Sequence, residues 1–213
     1  MTTIAIPLFP RFTALDAIGP YEVLQRIPGF DITFVGHERG IVRSENGFLG
    51  IEVDATFDEV PRPEIVVFPG GVGTRPLVRD EHVLGWVRTA HETSTFTTSV
   101  CTGSLVLAAA GLLDGLTATT HWSALDQLRA LGAVPADERV VEHLDRRIIT
   151  AAGVSSGIDM ALRLAALLVD ETAARACQLM IEYDPQPPFD AGSVAKAGDD
   201  VMARVVEYAS ARP

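Results

Sequence analysis

A cysteine, an aspartate and a threonine are the residues of this chain whose types and settings can do chemistry. Cys101 ends the β-branched, alternating run Phe96-Thr97-Thr98-Ser99-Val100 and precedes the helix-forming run Leu105 to Ala110, with Gly111 able to close the helix. A thiol on such a strand-to-helix turn leaves the carboxyl end of a sheet beside the first free N–H groups of a helix, whose dipole favours thiolate. That is the geometry of a nucleophile elbow, with Gly103 giving the helix room to pack close. The competing possibility is a buried cysteine acting as a small hydrophobe. Cys177, inside the helical stretch Ala173 to Met180, reads as that second kind.

Asp16 follows the first strand-like run. A carboxyl beside a thiolate has its pKa raised by the neighbouring charge and can donate a proton. Thr13 and Asp16 also have the spacing of a capping box, which gives Asp16 a structural alternative. Thr102 places a hydroxyl directly after the thiol, suited to orienting a water or to capping the helix that starts there. Gly70-Gly71-Val72-Gly73 lacks the spacing of a P-loop or of a dinucleotide fingerprint. Gly70, Gly71 and Gly103 are expected to free backbone N–H groups as an oxyanion-type cradle, or simply to serve tight turns. His121 ends a strand after the helix and can either partner the thiol or stand as a structural histidine at the mouth of the site. His37, His82, His91 and His143 are scattered and show no metal-ligand spacing.

The elements that must position these residues alternate. Strands are expected at 4–9, 31–36, 65–68, 96–100, 117–121 and 147–151, and a hairpin over 41–57 around Asn46-Gly47. Helices are expected at 14–24, 81–93, from 103 to about 110, 123–131, 156–168, 171–182 and, after the proline-rich segment 184–189, at about 193–211. Ile65 to Phe68 is continuously apolar, as a buried parallel strand is. The alternation implies one α/β domain over 1–213, with a mostly parallel sheet between two helical layers. Ligands of such sheets sit at the carboxyl ends of the strands, where Asp16, the glycines and Cys101 fall.

The chain has 213 residues, 47% apolar and 21% charged, an ordinary globular composition. Its 28 acidic residues outnumber 17 basic ones, for a net charge of −11, which argues against a nucleic-acid partner. Two distant cysteines make neither a disulfide framework nor a zinc site and point to a reducing cytoplasm. The N-terminus has no basic region followed by a long apolar segment, so neither a signal peptide nor a membrane span is expected.

The segments Leu15-Asp16, Gly19-Pro20-Tyr21-Glu22-Val23-Leu24, Phe68-Pro69-Gly70-Gly71 and Ser99-Val100-Cys101-Thr102-Gly103-Ser104 resemble the ThiJ/PfpI superfamily, and within it the isonitrile hydratases. The likeness continues through Ala118-Thr119-Thr120-His121-Trp122, Ser156-Gly157-Ile158-Asp159 and 182–192. It implies a flavodoxin-like sandwich, a homodimer, a strained elbow cysteine and no cofactor. Carried over residue by residue, it implies Cys101 as nucleophile, Asp16 as proton donor and Thr102 as assistant in adding water to an isonitrile. The protease branch has His directly after the cysteine, where this chain has Thr102. Glyoxalase-type chemistry, which uses a glutamate near the thiol and would call on Glu22, is the alternative activity. A thiol sensor that works by oxidation is the non-enzymatic one.

Overall fold

The computed structural model describes residues 1–211. Residues Met1–Ile181 form one compact unit and Glu182–Pro213 a second. The first begins with β1 (Thr2–Pro7), α1 (Ala14–Leu24), β2 (Phe30–Gly36), β3 (Gly40–Arg43), β4 (Gly50–Val53), β5 (Ala55–Thr56) and β6 (Ile65–Phe68). It continues with α2 (Thr74–Leu77), α3 (Glu81–Thr93), β7 (Phe96–Val100), α4 (Gly103–Ala109), β8 (Thr117–Ala118), α5 (Leu125–Ala130) and β9 (Val134–Pro135). It closes with β10 (Val140–His143), β11 (Ile148–Ala151), α6 (Ser156–Leu168) and α7 (Glu171–Met180).

The central sheet runs β10-β11-β7-β6-β1-β2-β5, parallel except for β10, which pairs antiparallel with β11. The mostly parallel α/β class therefore holds. All four residues of β6 and all of β11 are buried, because helices cover both faces of the sheet. The chain leaves β1 for β2 on one side and later returns to β6 on the other, so strand order reverses at β1–β6. A crevice opens at the carboxyl end of such a reversal. The loops after β1, β6 and β7 meet there. Close packing makes it tight: a Cβ on Gly103 would overlap the Phe68 carbonyl, and one on Gly157 would lie 3.0 Å from Val100.

The elements depart from expectation in a few places. The strand expected over 117–121 stops at Ala118 and pairs with β9 in a separate two-stranded ribbon. Past it, Thr119 N–H donates to Thr150 Oγ1 at 3.0 Å and the Thr120 hydroxyl to the Cys101 carbonyl at 3.0 Å, so the chain is drawn toward the site instead of extending the ribbon. The helix expected at 123–131 is split into a 3₁₀ turn, Trp122–Ala124, and α5. β10 lies outside the expected strands. In the second unit, α8 (Asp199–Ser210) starts later than 193, because extended Gly198 sets its N-terminus. No helix among the described residues is long and apolar enough to cross a membrane.

Candidate active site

Cys101 has φ of 57°, a left-handed conformation that β-carbon sterics disfavour by roughly 1–2 kcal/mol. Four hydrogen bonds hold it there. Its N–H is shared by the carbonyls of Ala151 (3.0 Å) and Ala152 (2.7 Å), at the end of β11. Its own carbonyl accepts from the hydroxyls of Ser104 (3.2 Å) and Thr120 (3.0 Å). Strain of this kind persists only where the surroundings over-determine it, and it collects at functional sites. The strand-to-helix turn therefore aims the thiol into the crevice and fixes it there.

Asp16 sits in the first turn of α1 and is fully buried. The capping box is not formed. The Thr13 hydroxyl donates to Glu45 Oε1 at 2.9 Å, and Asp16 Oδ2 accepts the Gly70 N–H at 2.9 Å. Oδ1 is buried without a hydrogen-bond partner among the described residues, and the Cys101 thiol is the carboxyl's neighbour in the pocket. Burial raises the Asp16 pKa to about 7, opposed by the Gly70 N–H and the neighbouring Cys101 thiol and reinforced by the charge of Glu45. The main cause is thus burial, not the neighbouring thiolate expected from the sequence.

The thiol itself departs from expectation. Burial first, and the Asp16 charge second, push the Cys101 pKa well above its usual range, while the Thr102 N–H pulls it down. The amide at the start of α4 acts in the expected direction but does not prevail against a dry pocket. Burial therefore favours the neutral thiol at Cys101, beside the Asp16 carboxyl. Two acids this close titrate as a pair, and the singly protonated pair exchanges one proton between sulfur and carboxyl.

The glycine loop is engaged with the side chains of the site. Its successive amides already grip side chains of the site: Gly70 N–H holds Asp16, Gly71 N–H holds Thr102 Oγ1 at 2.9 Å, and Val72 N–H holds Glu45 Oε1 at 3.1 Å. The loop is a template that orients three functional groups, and at positions 70 and 71 only glycine fits. A Cβ on Gly70 would lie 2.5 Å from Thr102 N and 2.9 Å from Asp16 Oδ2. Gly71, at φ +133°, would bring one to 2.6 Å from both Arg11 O and Thr13 N.

Thr102 does not cap α4 with its side chain. Its hydroxyl accepts from Gly71 N–H, donates to Gly71 O at 3.0 Å, and lies 3.1 Å from the Thr74 hydroxyl. His121 packs its ring against Gly153 and bonds Ser123 Oγ through Nδ1 at 2.7 Å. Burial lowers its pKa, while Glu45 acts in the opposite direction. Its neighbour Thr120, not His121, makes the bond to Cys101. Glu22 points elsewhere, to Gln25 Nε2 (2.8 Å) and Arg26 (3.0 Å). Cys177 is buried in α7.

Glu45, Thr74 and Thr120 are site residues that the sequence did not disclose. Glu45 precedes the Asn46-Gly47 turn joining β3 and β4, and that turn was the one local signal. The carboxylate returns to the site only because the hairpin folds over residues 12 and 13, with Glu45 N–H donating to Phe12 O at 3.1 Å.

A comparison with protein families matches the DJ-1/PfpI family over residues 2–167. The chain belongs to that family. It is 44% identical over 195 residues to the isonitrile hydratase of Pseudomonas putida, covering 92% of this chain and 84% of the relative. It is 36% identical over 170 residues to the HTH-type transcriptional regulator GbdR of Pseudomonas aeruginosa, but spans only 45% of that protein. Among solved structures, a ThiJ/PfpI family protein from Pseudomonas syringae superposes with a TM-score of 0.92 at 38% identity, over 99% of this chain and 87% of that one. Drosophila melanogaster DJ-1beta, at 22% identity and a TM-score of 0.76, shares the fold; its match covers 85% of this chain and 97% of that one. The flavodoxin-like sandwich expected from the resemblance is thereby met.

Proposed function

We propose that this chain hydrates an isonitrile to an N-substituted formamide through a thioimidate on Cys101. The observation that carries the reading is the buried Asp16–Cys101 pair, present in a chain 44% identical to a hydratase over most of its length. An isonitrile has an electrophilic terminal carbon and no leaving group, so addition must be coupled to proton transfer.

In the reactive form the shared proton rests on Asp16 and the negative charge on sulfur. Sulfur attacks the terminal carbon, forming the C–S bond, while Asp16 delivers its proton to that same carbon. The product is a thioimidate, R–N=CH–S–Cys101, beside an Asp16 carboxylate. Asp16 then takes a proton from water as the water oxygen bonds to the carbon, and passes that proton to nitrogen, while the hydroxyl proton is left for sulfur. Collapse breaks the C–S bond and releases the formamide R–NH–CHO, and the thiol regains its proton. Splitting one difficult hydration into two additions is what a covalent nucleophile supplies. Thr102 keeps the Gly71 backbone in place and lies beside the path of the incoming water. Gly103, at the start of α4, allows the elbow to approach β6.

The proposal extends to one catalytic domain acting as a homodimer in the cytoplasm without a cofactor, which follows from the family resemblance and the two unbridged cysteines. Light scattering on the purified protein checks the dimer. The activity test is formamide formation from cyclohexyl or p-nitrophenyl isonitrile, with wild type and Cys101→Ala compared and methylglyoxal as a second substrate. Formamide from wild type alone supports the reading. Turnover of methylglyoxal alone, or an active Cys101→Ala, overturns it.

A further inference from the structure

His37 and His82, 45 residues apart in sequence, meet at the other edge of the molecule. Their Nδ1 atoms lie 3.3 Å apart and their ring centroids 5.3 Å apart. Each ring is held from behind by a carboxylate: His37 Nε2 by Asp80 Oδ2 at 2.9 Å, and His82 Nε2 by Asp58 Oδ1 at 3.0 Å. Asp80 is itself fixed, because its other oxygen accepts the N–H groups of His82 (3.1 Å) and Val83 (3.3 Å) at the start of α3. Phe57 packs edge-on against both rings.

The proton count is informative. The carboxylate facing each Nε2 favours the tautomer that donates from Nε2, which leaves both Nδ1 atoms as acceptors. The two Nδ1 lone pairs then face each other across 3.3 Å, which repels unless a cation lies between them. A carboxylate behind each imidazole is the arrangement that fixes the tautomer and raises the basicity of metal-binding histidines. The spacing agrees as well: two nitrogens, each about 2.05 Å from a tetrahedral zinc ion, stand about 3.4 Å apart.

We propose that His37 and His82 form a two-histidine site for a borderline divalent cation of the Zn²⁺ class, with Asp80 and Asp58 as its supporting carboxylates. Among the described residues no set of three His, Cys, Asp or Glu converges on one point, so water or an exogenous ligand fills the other positions. A cleft lined by Phe57, Trp86, Glu81 and His82 opens beside the pair and can receive such a ligand. The site joins three segments: the β2–β3 connection, the turn after β5 and the start of α3. Binding therefore stabilises the fold as well as the cation. This site is independent of the hydratase reading.

The test is titration of metal-free full-length protein with Zn²⁺ by calorimetry, in a Cys101→Ser background so that the thiol does not compete. The expected result is one equivalent bound with micromolar affinity and a raised melting temperature. His37→Ala and His82→Ala each weaken binding tenfold or more, and His143→Ala leaves it unchanged. Asp58→Asn weakens it by about tenfold while keeping both imidazoles. No uptake at millimolar Zn²⁺ overturns the proposal. So does uptake that survives both histidine substitutions, because the pair then shares only a proton.

Discussion

The Asp16 carboxyl and the Cys101 thiol are neighbours in a pocket with almost no solvent exposure; burial makes both harder to ionise, and the Asp16 charge adds to that at sulfur. The result is a pair with one mobile proton, held by Gly70 on one side and Thr102 N–H on the other. Removing the sulfur while keeping the backbone isolates its role. Cys101→Ala is expected to lower turnover of an isonitrile by about 10³-fold or more, as loss of a nucleophile does. Mass spectrometry checks the same point: wild type mixed with a slow isonitrile gains the mass of the substrate on the peptide carrying Cys101, and the variant does not.

Activity should climb as pH rises through about 7 and then level off, because the singly protonated pair forms as the first proton leaves. A kcat/KM profile between pH 5 and 9 measures this. Asp16→Asn removes the proton carrier, so the limb near 7 disappears and kcat/KM falls by about 10²–10⁴-fold.

The same group sets a stability slope. Asp16 is protonated in the folded state up to about pH 7, but in the unfolded chain only to its ordinary value of 3.8. Between those limits folding holds a proton that unfolding releases, so rising pH destabilises the fold. The wild type is expected to lose stability relative to Asp16→Asn by roughly 1 kcal/mol per pH unit over that window. Outside the window the two curves run parallel. Urea unfolding at pH 4, 5.5 and 7 reads the difference directly.

Glu45 couples to this pair from the hairpin. Glu45→Gln keeps an oxygen for Thr13 and Val72 but removes the charge that helps to raise Asp16. The expected outcome is a pH limb displaced to lower pH by a fraction of a unit, with little change in melting temperature. A limb that stays in place shows that Glu45 acts through geometry alone.

Much of this site was legible in the chain because its chemistry lies at strand ends. Cys101 follows a β-branched strand and Asp16 follows the first one, and a parallel sheet must bring such ends together. The mostly parallel architecture was equally legible in the alternation of runs. What local pattern could not supply was long-range pairing. Thr13 has the spacing to bond Asp16 but bonds Glu45, and the Gly70 and Gly71 amides are committed to Asp16 and Thr102. His37 and His82 have no metal-ligand spacing in sequence, and meet because β2 ends where α3 begins. The pKa of Cys101 also lay beyond reach, since it depends on burial, which no short segment encodes.

Thr102 closes the set of groups that the glycine loop orients, and its hydroxyl is replaceable in two informative ways. Thr102→Val keeps the shape but leaves Gly71 N–H without its partner, which costs about 1–3 kcal/mol for a buried amide, while the Gly71 carbonyl keeps its bonds from Thr74. The loop then loses one of the bonds that keep Gly70 against Asp16, so kcat falls along with stability. Thr102→Ser restores the hydroxyl and should recover both quantities to near wild type. If Thr102→Ser recovers stability but not kcat, the methyl group shapes the pocket. If Thr102→Val retains full kcat at reduced stability, the hydroxyl supports the loop and takes no part in the water step.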